Sequence, residues 1–243
     1  MKYYSQYGQD KFLNEKIFVD NKKRFFLELG ADDGIENSNT LFFEKEKKWN
    51  GICIEPREIA FLKLRKNRNC ICEKICITDK NTKKDFLEIN GSSSQLSGLY
   101  DKFDKTHLQR INRKTIKDKL ENKVIQVECL TLNQVLGKHK INKVDYLSLD
   151  VEGGELDILK SINFNLINIS VISVENNYCD VNIQKFLEKN NYTLIKRIKI
   201  DEIYIHQNAN LTKYHESKYI NNIKIFLRKL SNYKNKILLT KYK

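Results

Sequence analysis

The chain has 243 residues, 40% hydrophobic, 10% aromatic and 31% charged, a balance that supports a buried core and excludes a disordered chain. Its net charge of +13 is uneven: from Lys213 onward nine basic residues face Glu216 alone, leaving only +5 for the first 212 residues. That remainder gives weak support for a phosphate-binding groove in the main domain, so charge alone does not make this a nucleic-acid protein.

The length suits one α/β domain with an elaboration. No apolar run approaches the roughly 18 residues a membrane span needs, and Met1-Lys2-Tyr3-Tyr4-Ser5 lacks the basic-then-apolar order of a secretory signal. A soluble, cytoplasmic protein is the expectation. The six cysteines, none in a CxxC pair, read as free thiols of a reducing compartment.

Short apolar runs alternate with helical patterns along the chain. Strands are expected at Phe25 to Leu29, Gly51 to Ile54, Ile71 to Ile77, Val144 to Leu149, Ile169 to Val174 and Glu202 to His206, with a further candidate at Tyr192 to Lys196. Helices are expected at Asn39 to Lys47, Arg57 to Arg65, Leu130 to Leu136, Glu155 to Ile162 and Val181 to Lys189. This alternation predicts a doubly wound α/β sheet, mostly parallel, with helices on both faces.

The first strand runs into Gly30-Ala31-Asp32-Asp33-Gly34. Glycines allow a tight turn and a close approach of ligand to backbone. The loop lacks GxGxxG, and the charges of Glu28, Asp32 and Asp33 would repel the pyrophosphate of a dinucleotide. They suit a cofactor with a cationic centre and an amino group, such as S-adenosylmethionine. The second strand ends in Glu55-Pro56, about twenty residues beyond the glycine loop, where an acid can accept hydrogen bonds from ribose hydroxyls. The alternative role for Glu55 is to cap the helix that Pro56 opens.

Residues 90–119 stand outside the alternation as a polar insertion that continues into a basic helical run, placed where lids and substrate loops occur. Farther on, Leu149-Asp150-Val151-Glu152-Gly153-Gly154 ends another strand in a carboxylate and glycines, and Glu175 ends the next. Ligands sit beyond the carboxyl ends of such strands, so Gly30, Glu55, Asp150 and Glu175 should converge on one crevice. Asp150, Glu152 and Glu175 group as Mg²⁺ ligands do, but glycine-rich strand ends produce such groupings without metal; no metal is expected. Of the four histidines, only His107 in the insertion is placed to reach an acceptor.

The chain resembles FkbM-type methyltransferases, which use S-adenosylmethionine on a Rossmann-like fold. The resemblance rests on Ser5-Gln6-Tyr7-Gly8-Gln9-Asp10, Gly30-Ala31-Asp32-Asp33-Gly34, Ser38-Asn39-Thr40, Trp49 to Pro56, Asp145 to Glu155, Thr131-Leu132 and Asp201-Glu202-Ile203-Tyr204, in that family's arrangement, and ends near Gln207. It implies methyl transfer to an oxygen, often a hydroxyl of a sugar, glycan or related small molecule. It also implies that Gly30, Ala31 and Gly34 line the methionine part, Glu55 the ribose and Ile77-Thr78 the adenine, with Glu28, Asp33, Asn39 and Pro56 alongside. Asp150 would lie near the sulfonium, as first candidate for the base, with Glu175 second. Similar sequences often read Glu-His-Asn or Glu-Tyr-Asn after that strand, where this chain has Glu175-Asn176-Asn177.

The domain expectation is therefore a methyltransferase domain over 1–207 and a basic amphipathic tail over 208–243. In the tail, Ile220, Ile223, Leu227 and Leu230 recur at helical spacing. The tail suits packing on the domain or peripheral contact with an anionic membrane. The alternatives to a glycan O-methyltransferase are an RNA methyltransferase that uses the basic tail and a cofactor-binding module without catalysis. Nucleic acid is the less favoured partner, and the oligomeric state is left open.

Overall fold

The computed structural model describes residues 1–91, 93–103, 105–118 and 122–211. The tail helix expected from Ser217 lies outside them. In chain order the strands are β1 (Phe25–Leu29), β2 (Asn50–Ile54), β3 (Ile71–Glu73), β4 (Cys76–Ile77), β5 (Thr82–Ile89), β6 (Gly98–Leu99), β7 (Asn122–Leu130), β8 (Lys143–Leu149), β9 (Asn168–Glu175), β10 (Tyr192–Ile198) and β11 (Asp201–His206). The helices are α1 (Gln9–Phe12), α2 (Leu41–Lys45), α3 (Glu58–Asn67), α4 (Lys105–Asp118), α5 (Leu132–Lys138), α6 (Glu155–Ser161) and α7 (Val181–Lys189).

Seven strands form one sheet in the order β10-β11-β9-β8-β1-β2-β3. β1 pairs in parallel with both β2 and β8, whereas β11 runs antiparallel to β9 and β10. The side-chain period of two explains the two-sided core. Leu27, Leu29, Ile52, Ile54, Leu147 and Leu149 share one cluster with Leu132 and Val135 of α5, Ile158 of α6 and Leu187 of α7. The intervening Phe26, Cys53 and Tyr146 join Leu13, Ile17, Phe42, Phe43 and Leu64 on the other face. The expected doubly wound, Rossmann-like arrangement is therefore present.

The chain departs from expectation between residues 71 and 130. Instead of one strand at Ile71 to Ile77 there are two, β3 on the main sheet and β4 in a second, four-stranded sheet of order β4-β7-β5-β6. β5 and β7 are long antiparallel partners in register from Thr82 opposite Cys129 to Ile89 opposite Asn122. The insertion of residues 90–119 thus begins at the end of β5, and its basic run forms α4 as expected. Among the described residues, no helix is long and apolar enough to cross a membrane.

Candidate active site

The carboxyl ends of β1, β2, β8 and β9 deliver Gly30, Ala31, Glu55, Asp150 and Glu175 to one crevice. Gly30 fixes how closely β1 and β8 can meet there. Its φ is +81°, and a Cβ on it would lie 1.8 Å from the Asp150 carbonyl oxygen, so a side chain has no place at that position. The amides of Gly30 and Ala31 both donate to the Ile54 carbonyl, at 3.1 and 3.0 Å, which ties the loop to the end of β2.

Glu55 is 2% exposed. Its Oε1 accepts from the Arg57 amide and from Arg57 Nε, both at 2.9 Å, while Oε2 accepts from the Asp32 amide at 2.9 Å and from Arg57 Nη2 at 3.4 Å. Arg57 also bonds Asp32 Oδ1 at 2.8 Å and the Ser94 carbonyl at 2.9 Å, joining β2, the glycine loop and the insertion. Glu55 lines the crevice and its carboxylate receives the amide of Arg57, the residue before α3, but no side chain among the described residues caps the first turn of that helix.

Glu28 lines the crevice too, but its carboxylate is occupied by the Ser38 hydroxyl, the Asn39 amide, the Thr40 hydroxyl and Arg68 Nη1. It holds the loop that carries Asn39. The Asn39 side chain donates to Ser148 Oγ at 2.9 Å, and its Oδ1 is buried without a hydrogen-bond partner among the described residues. Pro56 and Ile77 line the crevice, joined by Cys76 and Phe86. Asp33, Gly34 and Thr78 are not among the lining residues. Asp33 Oδ1 accepts from the amides of Ile35 and Glu36, Gly34 sits against Leu64 and Arg68, and Thr78 bonds the Leu130 and Lys80 carbonyls.

Four carboxyl groups gather at the ends of β8 and β9. Asp150, Glu152 and Glu175 each place an oxygen within 4.8 Å of the others. Burial raises the Asp150 carboxyl above its ordinary range. Burial, then the charges of Asp150 and Glu152, push Glu175 up to about 12. Burial and the Asp150 charge raise Glu152 to about 8, and burial raises Glu155 to about 7. Glu175 therefore holds a proton at neutral pH and donates it in a hydrogen bond to the Asp150 carboxylate.

The family model described as "Methyltransferase FkbM domain" matches residues 28–194, which include every strand-end residue of this crevice. The chain belongs to the FkbM methyltransferase family. Its cofactor is S-adenosylmethionine. Among solved structures, an FkbM methyltransferase from Methylobacillus flagellatus KT aligns at 10% identity and TM-score 0.46, over 76% of this chain and 44% of that one. The present chain thus spans less than half of that neighbour. TrmK of M. capricolum, solved with S-adenosyl-homocysteine, aligns at 12% identity and TM-score 0.42, over 88% of this chain and 72% of that one. A protein of the NADB-Rossmann superfamily from Streptococcus agalactiae aligns at 14% identity and TM-score 0.46, over 98% and 86%. No curated protein matches the chain significantly.

The residues present fit the cofactor of the FkbM family. The unpartnered Oδ1 of Asn39 is an acceptor waiting for a donor such as an ammonium. The carboxylate-rich strand ends suit a cationic centre, and Ile77, Cys76 and Phe86 offer an apolar wall for a base. Sequence reasoning missed Arg57, which read as the opening of a helix; the usable signal was a strand-end acid with a single arginine two residues on. It also missed Glu152, which was weighed only as a possible metal ligand. Asn176, at the position where similar sequences carry His or Tyr, pins its loop: its Nδ2 donates to the Asp180 carbonyl and its Oδ1 accepts from the Asp180 amide.

Proposed function

We propose that the protein methylates a hydroxyl of a sugar, glycan or related small molecule, with the domain over 1–207 carrying the activity and the tail over 208–243 serving as an accessory. The observation that carries this reading is the half-buried carboxyl cluster at the ends of β8 and β9, which lines the same crevice as the orphaned Asn39 oxygen. When bound, S-adenosylmethionine supplies the methyl: a carbon–oxygen bond forms as the carbon–sulfur bond breaks, the sulfonium becomes a neutral thioether, and the hydroxyl proton is left to the protein.

Asn39 and Glu55 are assigned to binding, at the ammonium and ribose ends. The weakest contact of Glu55, the 3.4 Å bond from Arg57 Nη2, is the one a ribose hydroxyl would replace at least cost. Asp150 is assigned the proton, because burial raises its basicity while the hydrogen bond from Glu175 favours its charged form. Ile77 and Pro56 pack the base, and no metal is invoked. An RNA acceptor is the second reading. The crevice admits two cations of α4, Arg110 and Lys114, that could meet one phosphate.

Incubation with S-adenosylmethionine labelled on the methyl group, separately with a pool of unphosphorylated glycans and with unmodified RNA, tests the assignment. Label on the glycans in base-stable form supports it. Label on RNA alone contradicts it.

A further inference from the structure

A second cavity adjoins the crevice, and the two share Glu152, Gly153 and Glu175 as a common wall. Glu152 and Gly153 have φ of +56° and +128°, so the chain bends sharply at this partition. The insertion forms another wall, with His107 2% exposed and stacked on Phe103 at 4.4 Å between ring centroids. The loop after β9 forms the third. The paired bonds between Asn176 and Asp180 hold that loop, and Cys179 N donates to the Asn176 carbonyl at 3.2 Å.

Asn176, Asn177, Tyr178 and Asp180 of the loop line the cavity. Asn177 makes no hydrogen bond among the described residues, so its amide has both donor and acceptor capacity to offer. Tyr178 is 45% exposed, while its hydroxyl reaches to 3.4 Å from His107 Nδ1. Its ring is thus a fixed apolar surface at the rim.

The charges of the lining are one-sided. Lys102 is paired with Asp157 at 2.6 Å, and His107 Nδ1 lies 3.6 Å from Glu152 Oε2. No arginine and no further lysine lines the cavity among the described residues, whereas Glu152, Glu155 and Glu175 all do. A phosphate placed here would meet carboxyl groups without a free cation to offset its desolvation. A hydroxyl would meet groups able to accept and, where the carboxyl keeps its proton, to donate.

We propose that this second cavity is the acceptor site, and that it takes a hydroxyl-rich sugar unit, neutral or amine-bearing, that carries no phosphate. Asn177 hydrogen-bonds its hydroxyls and Tyr178 stacks on its ring, while the reacting hydroxyl reaches the crevice past Glu152 and Gly153. This assignment rests on the methyltransferase reading and adds to it the place and charge class of the acceptor.

The test is retention of the full chain on an array of neutral and amino-sugar glycans, their phosphorylated forms and a short RNA, with S-adenosylmethionine affinity followed separately by calorimetry. Unphosphorylated glycans should be retained best, and Asn177→Ala and Tyr178→Ala should each weaken retention about three- to tenfold, the worth of one good contact, at unchanged cofactor affinity. Two variants guard against a folding defect in either. Preference for RNA or phosphorylated glycans, absence of retention, or retention indifferent to both variants would overturn the proposal. Failure of the wild-type chain to bind the cofactor would instead bring down the methyltransferase reading beneath it.

Discussion

Arg57 Nε lies 2.9 Å from Glu55 Oε1, and this buried pair, two residues apart in sequence, shapes the crevice at the end of β2. The guanidinium fork matches the carboxylate while a third bond reaches Asp32 and a fourth reaches the insertion.

Removing Arg57 would leave the Glu55 carboxylate buried without its cation. Breaking such a pair costs about 3–5 kcal/mol, so Arg57→Ala should lower Tm by about 2–4 °C for each kcal/mol lost. Arg57→Lys should recover only part, because an ammonium reproduces the charge and not the fork. Scanning calorimetry checks both, and a Tm unchanged in Arg57→Ala would refute the structural role of the pair.

Gly30→Ala meets the Asp150 carbonyl at 1.8 Å and imposes a side chain on a left-handed residue. The expected outcome is a protein that folds poorly or melts well below the parent, since strands β1 and β8 must part to admit the methyl group. A soluble variant with the parental Tm would show that the strand ends are looser than described.

These strand ends were legible from sequence because each joins an apolar run to a glycine or an acid, as at Leu29-Gly30, Ile54-Glu55 and Leu149-Asp150. The second sheet was not read. Lys83, Lys84 and Asp85 make β5 a poor strand by propensity, although Ile125, Val127 and Cys129 alternate with Gln126 and Glu128 in β7. The second cavity was beyond sequence reasoning, because His107 and Tyr178 meet only through the packing of α4 against the loop after β9.

Glu152 should make stability depend on pH. Its carboxyl rises from 4.5 to about 8 on folding through burial and the charge of Asp150, with Glu155 adding to the rise and Arg110 and Lys114 of α4 opposing it; His107 also faces it. The folded state therefore holds the extra proton, and the stability this group contributes is full below about 4.5 and declines as pH climbs toward about 8. Glu152→Gln should raise Tm relative to the parent at pH 9 more than at pH 5. An equal difference at both values would mean that Glu152 titrates normally.

Asp150→Asn keeps the shape of the side chain and loses its capacity to take a proton. Turnover should fall about a hundredfold to ten-thousandfold, the usual worth of a positioned base, while cofactor affinity changes little. Steady-state kinetics beside a binding titration makes the comparison. Equal losses in both would assign Asp150 to holding the cofactor instead.

The most direct measurement is a calorimetric titration of the full chain with S-adenosylmethionine, repeated on Glu55→Ala. The account predicts one site per chain, and an affinity about tenfold to a hundredfold weaker in the variant, the worth of a charge-assisted hydrogen bond of about 1.5–3 kcal/mol. A folded wild-type chain that takes up no S-adenosylmethionine, or one whose affinity is untouched by loss of Glu55, would contradict it.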